Sequence, residues 1–291
     1  MPDSPFALDD DSAYQRWRER KLEQAPTDLG ALIVEIRDPR RLTDAERTAI
    51  LDRCRLANMA IYVGATGDDP DKEIPRALGA SLGLNRLDHN PGADEDAITS
   101  LTVQTDARHR DYIPYSNRPI SWHTDGYYNS PEHQIHGLLL HCVHPAEEGG
   151  ANDLLDHELA YILLRDRNPE FIRALMHPDC MAIPANHVDG EEVRPDQSGP
   201  VFSVRSDGRL HMRYTNRARN IRWRDDPLTR EAVAAFKSLL ETGTSWSVSG
   251  RLESGWGLIC NNVLHTRSGF TDGPVPRLLY RARYYDRLQD T

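Results

Sequence analysis

The chain has 291 residues, a formal net charge of -10 and an ordinary apolar share of 38%. That length buries a large core without staples, the acidity repels phosphate backbones and so speaks against a nucleic-acid partner, and no apolar run approaches the roughly 18 residues that span a bilayer. The acidic, polar start from Met1 to Asp11 is no secretory signal, so the expected location is cytoplasmic. Cys54, Cys142, Cys180 and Cys260 form no C-x-x-C pair. They read as reduced, buried side chains rather than a zinc ribbon or redox dithiol.

In chain order, residues 1–30 read as a polar lead-in with a short helical stretch. Ala31 to Ile36 is β-branched enough for a strand. Thr43 and Glu46 have the spacing of a capping box, and Ile50, Leu51 and Cys54 then share a helical face. Met59 to Val63 reads as a strand, the stretches 64–71 and 85–95 as loops, and Ile98 to Gln104 alternates as a strand should. Residues 105–119 form a long polar link with Tyr112 and Tyr115, read as a lid loop against the alternative of disorder. Ile135 to Val143 is a buried strand. Asp156 to Arg165 is a helix, and so is Pro169 to Met176, with Asn168 as its cap. Ser206-Asp-Gly208 turns a hairpin between 200–205 and 209–215. Pro227 to Thr242 is an amphipathic helix ended by Gly243. Strands at 246–248, 257–262 and 277–285 complete the chain. Many short strands with a few helices between them imply a mainly β fold with covering helices, a double-sheet jelly roll.

The chemistry concentrates in Ser121-Trp-His-Thr-Asp-Gly126. On a strand, residues two apart face the same way, so His123 and Asp125 project together with their α-carbons roughly 7 Å apart. Alone, such a pair reads more readily as a hydrogen-bonded surface pair. A second run, Gly257-Leu-Ile-Cys-Asn-Asn-Val-Leu-His265, brings a strand up to a histidine, and Arg277 follows beyond a Gly/Pro loop. Two histidines and one carboxylate make the facial triad of non-haem iron(II) oxygenases, with three positions open. A downstream arginine suits 2-oxoglutarate, whose distal carboxylate wants a planar, permanently charged fork. His141, His144 and His211 are rival ligands, read as structural. Trp122 and Tyr127 border the pocket or pack in the core.

With these residues the chain resembles the taurine dioxygenase/2,4-D dioxygenase (TauD/TfdA) family, on Trp122-His-Thr-Asp125, Gly149-Gly150, Asn261-Asn-Val-Leu-His265, and Arg277 with Arg281 in Arg277-Leu-Leu-Tyr-Arg281. The resemblance spans about Ile98 to Tyr285. It implies a double-stranded β-helix (jelly roll, cupin-like) core in one dioxygenase domain over residues 1–291, with Fe(II) as cofactor and 2-oxoglutarate and O2 as cosubstrates. It further implies hydroxylation or desaturation at an unactivated C–H of a small molecule, with release of succinate and CO2. By the same resemblance His123, Asp125 and His265 hold the iron and Arg277 clamps 2-oxoglutarate. Asn152 stands where many members have a threonine that helps hold the cosubstrate, and Arg281 lines the same pocket.

On the last strand Arg277, Leu279, Arg281 and Arg283 share a face, with Arg277 nearer the iron and Arg281 expected to act more on the prime substrate. The arginine-dense stretch from Arg205 to Arg224 reads as a solvated segment or as a site for an anion. Together with Arg281 it leads to an expected substrate that is anionic or amino-acid-like. Two alternatives use the same ligands, a metal-dependent hydrolase and a non-catalytic metal-binding jelly roll, and both leave Arg277 and Arg281 unexplained. A homo-oligomer stays open, and neither membrane nor nucleic acid is expected as a partner.

Overall fold

The computed structural model describes residues 4–89, 94–104, 113–188, 191–217, 219 and 221–291. The strands that matter for the site are β1 (Ile33–Ile36), β2 (Met59–Gly64), β3 (Thr99–Leu101), β4 (Ile120–His123), β5 (Gly137–His144), β6 (Asn152–Leu155), β7 (Val248–Gly250), β8 (Trp256–Cys260), β9 (Leu264–Arg267) and β10 (Leu278–Tyr284). The six-stranded sheet runs β1-β2-β8-β5-β10-β3 and the four-stranded sheet β7-β6-β9-β4. Only the β1–β2 pair in them is parallel.

Alternation along the strands sorts side chains into two layers. Met59 and Ile61 of β2 with Leu138, Leu140 and Cys142 of β5 meet Leu154 and Val248 of the smaller sheet in a core between the sheets. Ala60, Tyr62, Leu139 and Val143 point the other way, onto Ile50, Leu51 and Cys54 of α2 (Asp44–Ala57) and Leu78 of α3 (Glu73–Ser81). The outer face of the smaller sheet gives Leu155 and Leu264 to a helical layer of α4 (His157–Arg167), α5 (Pro169–Leu175) and α6 (Pro227–Thr242). The result is the jelly-roll core with covering helices that the strand pattern implied. The four cysteines are buried and unpaired.

Helix boundaries follow local signals. Thr43 and Glu46 close a capping box on α2, and Asp156, Asn168 and Asp226 cap α4, α5 and α6. The helical stretch expected in the lead-in is a full helix, α1 (Asp11–Gln24), that buries Tyr14 and Lys21. Lys21 Nζ stands 2.6 Å from Asp156 Oδ2 and 2.5 Å from Glu158 Oε2. A buried cation with two acids holds this helix on α4, which no hydrophobic periodicity reveals. α3, outside the expected elements, carries Pro75 and Gly79, so its propensity is poor and packing makes it. Its Ile74 and Leu78 are fully buried. No helix among the described residues is long and apolar enough to cross a membrane.

Candidate metal centre

β4 and β9 lie side by side, and His123 stands directly opposite His265 in the antiparallel register. Directly opposed residues point to the same face, here the interior between the sheets, and the two ring centroids are 4.2 Å apart. Each ring is fixed by the carbonyl two residues back. His123 Nδ1 lies 2.9 Å from Ser121 O and His265 Nδ1 3.0 Å from Val263 O. Nδ1–H therefore donates and the Nε2 lone pair is free to ligate. Burial and the neighbouring His123 push the pKa of His265 down to about 4, so this imidazole is neutral, as a ligand must be.

Asp125 lies just past β4. Its backbone is gripped at both ends, since its N–H donates to Asn262 Oδ1 at 2.8 Å and its carbonyl accepts from Asn262 Nδ2 at 2.9 Å. The same Nδ2 reaches Ile135 O at 2.8 Å. Asn262 is itself in the left-handed region, φ 53°, which asparagine tolerates better than most residues. Asp125 Oδ1 is 3.4 Å from His123 Nε2 and 3.9 Å from His265 Nε2, and one donor atom from each of the three residues lies within 4.8 Å of the others. Ligands at about 2.1 Å on adjacent positions stand roughly 3 Å apart, so a small inward movement seats an ion. Burial pushes the Asp125 carboxyl up. The Arg281 guanidinium, the contact with His123 and the charge of Arg283 oppose this and hold it well below the usual carboxylate range. Its Oδ2 is buried without a hydrogen-bond partner. Two imidazole nitrogens and an ionised carboxylate suit a divalent ion such as Fe(II).

Replacing Asn262 by Ala strips the grip from both backbone groups of Asp125 while leaving every donor atom in the chain. Loss of such a supporting partner typically weakens metal affinity about 10–100-fold. Titration of Fe(II) into the Asn262→Ala protein should show that weakening, and an unchanged affinity would refute the role of this clamp.

The arginines of β10 divide the interior between them. Arg281 Nη1 is 3.4 Å from Asp125 Oδ2, closer to the metal ligands than an arginine serving only a prime substrate needs to be. Behind it Arg283 donates to Tyr128 Oη at 2.8 Å and pairs with Asp88. Arg277 is 4% exposed, and its guanidinium lies over the Phe270 ring at 5.0 Å. No carboxylate pairs with that guanidinium among the described residues; Asp272 instead accepts its backbone N–H at 2.8 Å. Burial pushes its pKa down, with Cys142 and Asp272 opposing only in part. The turn beside it needs two glycines. Gly149 and Gly150 have φ of 75° and 73°, and a Cβ on Gly149 would collide with the Gly269 carbonyl oxygen. Arg277 Nε lies 3.5 Å from where a Cβ on Gly150 would stand.

Other expected residues fall elsewhere. His141 bonds Tyr62 Oη through Nδ1 at 2.9 Å, and His211 packs edge-on to His136 with centroids 4.6 Å apart. Neither these nor His144 belongs to the metal-holding group. Asn152 points to the same face as His265, because Leu154, two residues on, is the register partner of His265. Its Nδ2 is donated to Thr266 O at 2.6 Å. Much of the arginine-dense stretch is locally satisfied. Arg205 pairs with Asp207, Arg222 with Asp196 and Arg224 with Asp226. Arg213 is buried and donates to the carbonyls of Tyr127, Met181 and Gln197. Arg217, by contrast, donates to Tyr127 Oη at 2.9 Å, two residues from Asp125 in sequence.

Of the expected lid, residues 105–112, with Tyr112, lie outside the described residues, while Tyr115 is buried in a short 3-10 turn. Arg267, a residue that sequence reasoning did not single out, holds the following segment by donating to Pro114 O, Ser116 O and Arg118 O. An arginine two residues past the distal histidine, and so on the same face of a strand, was the available signal.

The sequence matches the family described as "Taurine catabolism dioxygenase TauD, TfdA family" over residues 21–283. A uridine-5'-phosphate dioxygenase of Streptomyces sp is 31% identical over 65% of this chain and 69% of that relative. Another uridine-5'-phosphate dioxygenase, of Amycolatopsis sp, is 29% identical over 56% of this chain and 60% of the relative. Among solved structures, the non-haem iron oxygenase OrfP in complex with Fe and alpha-ketoglutaric acid superposes with a TM-score of 0.57 at 18% identity, over 84% of this chain and 81% of that one. That likeness carries the fold, and the family match carries the reaction class, which sets aside the hydrolase and the non-catalytic alternatives. The chain thus belongs to the TauD/TfdA family and is an oxidoreductase that uses iron and 2-oxoglutarate.

Proposed function

We propose that His123, Asp125 and His265 hold Fe(II), that Arg277 binds the distal carboxylate of 2-oxoglutarate, and that the enzyme hydroxylates an unactivated C–H of a small anionic molecule with release of succinate and CO2. The observation that carries this reading is a buried guanidinium, Arg277, without a carboxylate partner among the described residues, in the same interior as three convergent donor atoms. A buried cation without a partner is costly to keep, and a diacid chelated at one end supplies the missing charge at the other. When bound, iron with 2-oxoglutarate and O2 supplies the oxidising power. The chain's own groups fix the geometry. The carbonyls of Ser121 and Val263 orient the imidazoles, Asn262 sets Asp125, and Arg281 holds its second carboxylate oxygen. The second amide hydrogen of Asn152 is the one left for the cosubstrate. Residues 113–119, tethered through Arg267, are the described part of the expected lid, and residues 1–291 act as one oxygenase domain.

For the substrate, the supporting features are cations beside the ligand strand. Arg217 follows Thr215, which bridges to His123. Arg194 lies over the Tyr128 ring at 5.9 Å and donates to the carbonyls of Pro184 and Pro195. Neither has an ion-pair partner among the described residues, so both are open to an anion. The two relatives bear the name of an enzyme acting on uridine-5'-phosphate, a phosphate-bearing small molecule, and this supports the same class here. The test is a screen of nucleoside 5'-monophosphates, amino acids and other small acids against their uncharged counterparts, read as succinate release. Stimulation by anionic compounds is expected; stimulation only by neutral or cationic ones would end the anionic reading.

A further inference from the structure

A second basic cleft lies apart from the β10 arginines. It has a volume of about 170 Å³ and is lined by residues from the helix at 11–24, the end of α2, the start of α4, Arg209 and the segment 287–291. Five of its lining side chains are cationic, Arg20, Lys21, Arg55, Arg209 and Arg287, against one acid, Glu158. Two of the cations are answered. Lys21 has Asp156 and Glu158, and Arg55 pairs with Asp52. Arg20 and Arg209 have no carboxylate partner among the described residues, while Arg287 is met by Thr291 O and Asn58 Oδ1. In a chain of net charge -10, composition does not account for two unanswered guanidiniums beside a third, Arg287, around one cleft.

Arg287 is the inner member. Its Nε donates to Thr291 O at 3.1 Å and its Nη2 to Asn58 Oδ1 at 2.6 Å. Burial pushes its pKa down and the charges of Arg209 and Arg205 push the same way, against Glu158 and Asp156. Arg20 and Arg209 stand exposed at the rim, and neither guanidinium donates a hydrogen bond within the described structure. Like charges gathered this way repel unless a multivalent anion sits among them. Guanidinium forks match the oxygens of phosphate. The cleft exceeds the ~150 Å³ of a cavity that admits benzene, so a phosphate group fits with room for a small substituent.

The floor of this cleft leads to the metal centre. Asn58 Oδ1, which receives Arg287, also receives Asn261 Nδ2 at 3.1 Å, and Asn261 N donates to Asn58 O at 2.8 Å. The next residue is Asn262, whose side chain grips Asp125. We propose that the cleft between Arg20, Arg209 and Arg287 binds a phosphate dianion, free or as a monoester, and thereby braces the Asn58–Asn261 turn that carries the clamp on Asp125. The assignment does not depend on the substrate proposed above.

The experiment is calorimetric titration of orthophosphate, and separately of glycerol 3-phosphate, into the full chain loaded anaerobically with Fe(II) and 2-oxoglutarate. Saturable binding is expected in the wild type. It should weaken about tenfold or more in the Arg20→Ala/Arg209→Ala double variant, which loses two charge-assisted contacts. Both arginines are exposed, so an unchanged melting temperature without phosphate verifies that the variant is folded. Tighter binding of the monoester assigns the cleft to esterified phosphate, and equal or weaker binding assigns it to the free ion. Absence of saturable binding by either compound, or equal affinity in the double variant, overturns the proposal. Equal affinity would put the anion elsewhere, for instance beside Arg194 and Arg217.

Discussion

Alanine at His123 or at Asp125 should leave the purified protein without iron. Each supplies one of only three donor atoms that converge within 4.8 Å, and two protein ligands seldom retain a labile divalent ion. The loss should be near complete rather than graded, since no other His, Cys, Asp or Glu among the described residues joins the group. Asp125→Ala has a further effect. It leaves Arg281 and His123 without the carboxylate they face at 3.4 Å, and an uncompensated buried cation costs about 3–5 kcal/mol. That variant should therefore lose stability as well as iron, whereas His123→Ala should lose mainly iron. Asp125→Gly should lose hydroxylation too. The useful control is His141→Ala, because His141 bonds Tyr62 and ligates nothing. Iron content per chain decides the matter, and normal content in both the His123 and Asp125 variants would sink the assignment.

The second large effect separates two arginines. Arg277→Ala should weaken apparent 2-oxoglutarate affinity on the order of a hundredfold, the equivalent of about 3 kcal/mol at 1.4 kcal/mol per tenfold. Its guanidinium touches no ligand, so iron binding should survive. Arg281→Ala should behave differently, because Arg281 sits at 3.4 Å from the second oxygen of Asp125. It should weaken Fe(II) binding modestly, shift the prime-substrate response, and leave the 2-oxoglutarate midpoint close to wild type. Anaerobic titration followed by the charge-transfer absorbance of the iron chelate reads both. Abolition of that band by Arg281→Ala, with an unchanged midpoint for Arg277→Ala, would show that the clamp is the other arginine.

The elements legible in the sequence were those specified by neighbours in the chain. The capping box of α2, the caps of α5 and α6 and the apolar runs of β2 and β5 are local signals, and each element lies within a few residues of its expected place. His123 and Asp125 were legible as a pair because period-two geometry puts them on one face, and His265 because Arg277 follows it in the pattern of the family the chain resembles. What escaped depends on partners remote in sequence. A short helical stretch was expected at the start of the chain, but the docking of the helix at 11–24 rests on a buried ion pair with α4. α3 tolerates Gly79 inside a helix because Tyr284 occupies the space where a side chain would go. The face of β10 was read correctly, yet only packing reveals that Arg281 meets Asp125 and Arg283 meets Asp88. In the arginine-dense stretch the solvated reading holds for Arg205, Arg222 and Arg224, whose acids are interleaved with them or arrive from Asp196.

The pairing of His123 opposite His265 bears on how the chain assembles itself. The two strands are remote in sequence, so their alignment forms only after a long loop has closed, a slow event for β proteins. A slip of one residue between β4 and β9 would turn one imidazole away from the interior, since side chains alternate faces. The ion can be held only by the correct alignment. It therefore adds about 2.7 kcal/mol to that arrangement when present at a hundredfold its dissociation constant, and nothing to the slipped one. Iron on this view also selects among strand registers, and a chain made under iron starvation should carry more misaligned, protease-sensitive molecules than one made with iron in excess.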